Sequence, residues 1–307
     1  MTLVRYDNIR KKLEAGDLVI LDGGTGTDIQ RRGVKMDSEV WCAEANLTHP
    51  DVVRAVHEDY INAGADVITA NTYASSPLMF HARGRTDLIE VDTAAMREAR
   101  AAADAAGRPV AVAGSISVMR PHKAGTDRFD AEIVYDEAQM RALYRQKAEN
   151  LKACGADLIV LEMMRDSKFS VWATDAAMDT GLPVWVGIAV ERNAKGGLSG
   201  VNHPEEELGA LVKTLTARKP DACLVMHSPI DTILEALDVI KANWSGIAGT
   251  YPEAGEFRMP DWEFVDVDPA EFAEAARGWR AAGAQIIGGC CGINPDHIAA
   301  LSKDLAA

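Results

Sequence analysis

Short apolar, β-branched runs alternate with longer stretches of helical periodicity along the whole chain. The runs fall at 18–21, 66–70, 110–113, 158–161, 184–189, 222–226, 246–248 and 285–287. Helical stretches follow near 50–63, 92–106, 135–153, 167–180, 204–217, 229–242, 268–282 and 294–304. Strict alternation of this kind predicts a parallel sheet with helices outside, and eight such units fit a closed (β/α)8 TIM barrel, one domain over residues 1–307. Proline in the first turn marks helix starts at Pro50, Pro204 and Pro295, because its missing N–H has no helical partner there. Gly64-Ala65, Gly155-Ala156 and Gly283-Ala284 read as glycines closing a helix before the chain re-enters the sheet. The competing open, doubly wound sheet wants a GxGxxG turn after the first strand, and Asp22-Gly23-Gly24-Thr25-Gly26-Thr27 lacks that spacing.

In a barrel of this kind chemistry gathers where strands end and βα loops begin. Reading the residues just after each apolar run gives Asp22, Asn71, Ser115, Glu162, Glu191, His227, Tyr251 and the pair Cys290-Cys291, a polar ring rich in metal and amine ligands. The longest irregular segments, about 115–134 and 250–267, follow strands three and seven and belong to the same face, where long loops shape pockets.

The segment Gly288-Gly289-Cys290-Cys291-Gly292 is the most specific signal. Adjacent residues of a regular strand point to opposite faces, so two neighbouring thiolates reach one ion only where the backbone leaves the extended form, which flanking glycines permit. A metal site, a pair of buried structural cysteines and a vicinal disulfide are all open to such a pair. Zinc suits the first reading, because soft thiolates favour it and a catalytic site needs three protein ligands with one position free for exchange. At the end of strand six, alternation places Cys223, Val225 and His227 on one face, and His227, nearest the rim, is the candidate third ligand.

Composition narrows the partners. A net charge of −14 and no clustered Lys or Arg argue against nucleic acid. No long apolar stretch and no cationic leader is present, so no membrane partner is expected and the reading is a cytoplasmic protein. Five cysteines, an odd number, do not suggest a secreted disulfide framework. Small molecules are the expected partners, and self-association into a homo-oligomer is left open.

These pieces, taken in order, resemble the homocysteine S-methyltransferase family, which includes the betaine- and S-methylmethionine-dependent enzymes and the homocysteine domain of cobalamin-dependent methionine synthase. The match runs almost end to end. It is carried by Leu21-Asp22-Gly23-Gly24-Thr25-Gly26-Thr27, Trp41 with Asn46-Leu47-Thr48-His49-Pro50, and Gly64-Ala65-Asp66 leading to Asn71-Thr72-Tyr73-Ala74-Ser75. Ala113-Gly114-Ser115, Leu161-Glu162-Met163, Tyr251-Pro252-Glu253-Ala254-Gly255-Glu256 and the double-cysteine segment complete it. The resemblance implies that Zn2+ activates the homocysteine thiol for attack on a methyl group of a cationic sulfonium or ammonium donor, giving methionine. It implies Glu162 as the carboxylate that meets the amino-acid ammonium, with Asp22 and the backbone of Gly23 and Gly24 completing the acceptor site. Trp41 and Tyr73 would line the donor site, where aromatic faces attract an onium group without offering a nucleophile to intercept the methyl.

Two departures bear on the metal and the pocket. The family reads Gly-x-Asn-Cys at the end of strand six, where this chain has Val225-Met226-His227-Ser228, so the third zinc cysteine is replaced. With His227 in its place, two thiolates against Zn2+ predict a formally neutral site and a less electron-rich substrate sulfur. The family's Tyr-Pro-Asn-Ala-Gly has become Tyr251-Pro252-Glu253-Ala254-Gly255. Two other functions compete: a zinc-dependent barrel hydrolase, and a catalytically silent relative that keeps the amino-acid pocket.

Overall fold

All eight apolar runs lie in strands of one sheet in the computed structural model, which describes residues 3–305 apart from 124–128, 131 and 259. Numbered along the barrel, the strands are β1 (Val19–Ile20), β2 (Val67–Thr69), β3 (Ala111–Ser117), β4 (Leu158–Met164), β5 (Val184–Ile188), β6 (Ala222–Pro229), β7 (Ile247–Glu253) and β8 (Ile286–Ile287). Each pairs in parallel with its neighbour, in the spatial order β1-β8-β7-β6-β5-β4-β3-β2. A single parallel bridge from Leu21 to Val67, with Asp22 N–H donating to the Val67 carbonyl at 3.1 Å, closes β1 onto β2. The expected closed (β/α)8 barrel is the fold.

The surrounding helices are α1 (Pro50–Asn62), α2 (Leu88–Ala105), α3 (Glu137–Ala153), α4 (Phe169–Asp179), α5 (Leu208–Thr216), α6 (Ile233–Asn243), α7 (Pro269–Ala281) and α8 (Pro295–Leu305). Pro50 and Pro295 open α1 and α8 as their positions predict, and Asp136 and Asp268 cap α3 and α7 by accepting from backbone N–H groups of the first turn. Gly64, Gly155 and Gly283 all turn the chain at positive φ after a helix, as the Gly-Ala pattern implies. A helix outside the alternation, Leu3–Ala15, lies against the entry end of β5, where the Trp185 indole N–H donates to the Tyr6 hydroxyl at 3.2 Å.

The start signal at Pro204 is overturned. His203–Glu207 is a strand, and α5 begins only at Leu208. Asn202 sits at φ +60 with its N–H donating to the Glu191 carboxylate at 2.8 Å, and this turn sends the chain back to pair His203 with Gly200. Proline is tolerated there because His203–Glu207 is the edge of a three-stranded antiparallel sheet, β-paired on one side only, with Val190–Arg192 and Leu198–Gly200. After β7 a second lip forms, the hairpin Gly255–Arg258 with Asp261–Phe264. Both lips stand at the C-terminal mouth of the barrel.

Candidate active site

The double-cysteine turn is held from both sides. Gly289 N–H donates to the Asp22 carbonyl (3.0 Å), Cys290 N–H to the Pro252 carbonyl (2.6 Å), and Ala254 N–H to the Cys291 carbonyl (2.8 Å). Gly292 then turns at φ +85, and a Cβ there would lie 1.9 Å from the Ala254 carbonyl oxygen, so only glycine fits. Off the extended form, the two thiols point into the same space with Sγ atoms 3.7 Å apart. Both are free thiols in this structure.

His227 arrives from β6 at φ +48, a conformation that costs a non-glycine residue of order 1 kcal/mol and more and is held here by its surroundings. Its Nδ1 lies 3.0 Å from Cys290 Sγ and its Nε2 is 2.8 Å from Glu162 Oε2, while the ring stacks on Tyr73 at 5.0 Å between centroids. Glu253 brings Oε2 to 4.0 Å from His227 Nδ1. One donor atom from each of His227, Glu253, Cys290 and Cys291 lies within 4.8 Å of the others. Ser228, where the family has cysteine, faces away: its hydroxyl donates to the Met226 carbonyl and accepts from Val190 N–H.

The electrostatics of this cluster call for a cation. Burial pushes the Cys290 thiol well up, with Cys291, Glu253 and Glu162 adding to it. Cys291 gains some relief from its hydrogen bond with Cys290, yet burial and the two carboxylates leave it raised as well. Burial raises Glu253 too, against a smaller opposing effect of His227. Two thiols and a carboxylate in one dry place hold their protons unless a divalent ion compensates them, and together with the imidazole they make a donor set that suits zinc. The imidazole is oriented for it: with Nε2–H donating to Glu162, Nδ1 keeps its lone pair toward the thiols. Glu162 is itself fixed, its other oxygen accepting from the Ser115 hydroxyl.

Two cavities meet at this cluster. The smaller is lined by Gly24, Asn71, Glu162, Tyr251 and Cys290 among others. The larger, about 400 Å³ and thus of small-molecule size, lies under the two lips and takes in Met163, Arg165, Glu253, Phe257 and Trp262. Trp41, Tyr73, His227 and Cys291 border both. Trp41, at φ +50, presents its ring edge-on between Tyr73 (6.1 Å) and Phe257 (5.9 Å). Asp22 stands one layer behind: fully buried, it accepts from Thr69 N–H (2.6 Å), the Thr69 hydroxyl (3.0 Å) and the Tyr251 hydroxyl (3.3 Å), and burial pushes its carboxyl up to about 8. Gly23 accepts from the Tyr251 hydroxyl through its carbonyl, and Gly24 N–H is committed to the Ile293 carbonyl.

The sequence ring therefore holds together at Glu162, His227, Cys290 and Cys291, with Trp41 and Tyr73 beside them. Glu253 and Arg165 belong with them and were not singled out as site residues by reading strand ends. The signal for Glu253 was its place in a Tyr-Pro-Asn-Ala-Gly segment where the asparagine had become an acid. Arg165 follows a β4 that outruns its apolar run, so it falls past the rim position read from the pattern.

A family model described as homocysteine S-methyltransferase matches residues 19–305. The chain is 28% identical to a homocysteine S-methyltransferase of Escherichia coli, over 95% of this chain and 97% of that one. It is 29% identical to an S-methylmethionine–homocysteine S-methyltransferase of Pongo abelii, over 97% and 81%. The oxidised form of the homocysteine methyltransferase MmuM from Escherichia coli superposes with a TM-score of 0.77 at 25% identity, covering 96% of this chain and 98% of that chain. The hydrolase and the silent binder both give way to this result, and the chain belongs to the homocysteine S-methyltransferase family, as an S-methyltransferase.

Proposed function

We propose that this enzyme uses zinc held by His227, Cys290 and Cys291, with Glu253 as a further donor, and moves a methyl group from a sulfonium or ammonium donor to the thiol of homocysteine. The observation that carries the reading is the meeting of two cavities at one donor cluster, which lets an acceptor thiol and a methyl donor approach the same point from opposite sides. Zinc at that point would lower the proton affinity of the substrate sulfur, so that it attacks as a thiolate at neutral pH.

The chain's own residues do the rest. Glu162 holds the His227 tautomer through Nε2–H, and its remaining lone pairs face the smaller cavity, where an amino-acid ammonium would sit. Asp22 acts from behind by fixing Thr69 and Tyr251, Gly23 holds Tyr251 through its carbonyl, and Gly24 lines the smaller cavity. The faces of Trp41 and Tyr73 hold the onium group by cation–π attraction, worth about 0.5–2 kcal/mol, and contribute no competing nucleophile. As the new S–CH3 bond forms, the donor C–N or C–S bond breaks with its electron pair, leaving a neutral amine or sulfide. That product has lost the charge the aromatic faces attract, which favours release.

Glu253 also changes the expected charge. Two thiolates alone leave a Zn2+ site neutral; with the Glu253 carboxylate the protein donors carry three negative charges and the site is −1, the value a three-cysteine site has. That charge holds while zinc keeps Glu253, and the substrate sulfur would enter either as a fifth donor beside it or by displacing it. Metal analysis of the purified enzyme beside His227→Ala tests the set. One zinc per chain that is largely lost in the variant is expected, and unchanged content would remove His227 from the site. Homocysteine methylation with a panel of betaine and sulfonium donors tests the reaction, and no product from zinc-loaded enzyme with any of them would sink the donor assignment.

A further inference from the structure

Arg165 is a buried cation without an anion. It follows β4, is 1% exposed, and lines the larger cavity. Its Nη2 donates to the Val118 carbonyl at 3.3 Å, its Nε has no hydrogen-bond acceptor among the described residues, and no carboxylate among them lies within ion-pair distance of it. The neighbouring acid, Asp166, sits 3.6 Å from Arg120. Arg120 is further met by the His203 ring at 2.8 Å. Two buried guanidinium groups thus share one buried carboxylate, and the surplus positive charge rests on Arg165. Burial, with Arg120 adding to it, lowers the Arg165 guanidinium to about 9, which still leaves it charged at neutral pH.

The position is built. Arg165 N–H donates to the Ser170 hydroxyl at 3.0 Å. Gly200 of the antiparallel lip packs so close that a Cβ there would lie 1.9 Å from the Arg165 carbonyl oxygen. The guanidinium carbon lies over the Phe129 ring, 3.6 Å from its centroid. A buried, uncompensated guanidinium costs several kcal/mol unless an anion answers it, and its planar fork is matched to a carboxylate.

We propose that Arg165 is the residue that binds the carboxylate end of the methyl donor and so selects donors that carry one. The proposal rests on the methyl-transfer reading above for the word donor, while the binding site itself does not. The onium end would lie on Trp41 and Tyr73, which border the same cavity, and the carboxylate at Arg165 across it. The acceptor's carboxylate is the other source of the same chemistry. Arg165 lines the larger cavity and not the smaller one, which favours the donor. Because the carboxylate is unchanged by the reaction, the contact is equally strong before and during transfer, and its loss acts on KM more than on kcat.

The test compares equilibrium binding by calorimetry of glycine betaine with choline, and of S-methylmethionine with trimethylsulfonium, to zinc-loaded enzyme, Arg165→Met and Arg165→Lys. The wild type should prefer the carboxylate member of at least one pair ~10- to 100-fold. Arg165→Met should abolish that preference, Arg165→Lys should keep part of it, and homocysteine affinity should stay unchanged in both, which also shows that they fold. Equal binding of all four probes to the wild type, or a preference that survives in Arg165→Met, overturns the proposal. So does a loss confined to homocysteine, which would assign Arg165 to the acceptor. Because binding is read without turnover, a carboxylate preference with no methyl transfer would leave the anion site standing and remove the donor reading alone.

Discussion

In the proposed zinc site Glu253 does two things at once: it supplies a donor atom and it restores the charge lost with the strand-six cysteine. Asparagine, which the family carries there, keeps a weak oxygen donor and drops the charge. Glu253→Asn should therefore loosen zinc at least tenfold, about 1.4 kcal/mol, in competition with a chromophoric chelator. Equal affinity in the two proteins would return the site to three ligands. Asp22 is the other residue whose environment makes a prediction. Its carboxyl is raised from 3.8 to about 8 by burial, against the lowering effect of the Thr69 and Tyr251 hydrogen bonds. Below pH 3.8 both folded and unfolded chains are protonated there; above it the unfolded chain releases the proton and the folded one holds it. The stability this group contributes is thus full at low pH and lost as pH rises toward 8, with a slope of about 1.4 kcal/mol per pH unit. Asp22→Asn should be flatter, so that any deficit against the wild type at pH 5 shrinks or reverses by pH 8, and urea midpoints of both proteins across that range measure the difference in slope.

At the level of elements, the loop that carries Tyr73 is fastened from α3. Lys147 donates to the carbonyls of Thr72 and Ser75 and pairs with Asp92 at 2.9 Å, both partners fully buried. Lys147→Met leaves the Asp92 carboxylate buried alone, a change that costs about 3–5 kcal/mol. Burial already raises Asp92, so without its partner it will stay protonated further up the pH scale, and the loss should grow from pH 5 to pH 8. Denaturant unfolding at both pH values checks this. Nothing in the local sequence predicts that pairing, since Lys147 lies on the buried face of a helix whose pattern reads as ordinary amphipathic surface. The same limit explains what the pattern did and did not yield. The eight barrel strands were legible, because each carries a buried apolar run, whereas the polar strands of the two lips carry none and were not. Strand ends were not: β3, β6 and β7 continue to Ser117, Pro229 and Glu253, well past their apolar runs, because barrel neighbours supply ladder partners to polar residues. Glu253 became a site residue by that extension. The Pro204 signal failed for a related reason, since a hairpin pairing set by Asn202 outweighed a local helix preference.

On the scale of the molecule, the barrel is unevenly sewn. β6 and β7 share a long register, whereas β1 meets β8 through two residue pairs and meets β2 through one bridge. The donor cluster lies beside that thin seam: His227 comes from β6, Glu253 from β7, and the cysteines from the turn after β8, which also receives Asp22 from the end of β1. An ion bound there would tie three successive strand ends together and hold down the turn against which β1 closes. Binding to the folded chain alone stabilises it by about 2.7 kcal/mol at a free concentration one hundred times Kd. Removing zinc with a chelator should then lower Tm by several degrees, and readdition of zinc should restore it. His227→Ala should start low and respond little to the chelator. A Tm indifferent to the chelator in a wild type shown to contain zinc would mean that the ion serves the reaction without holding the seam.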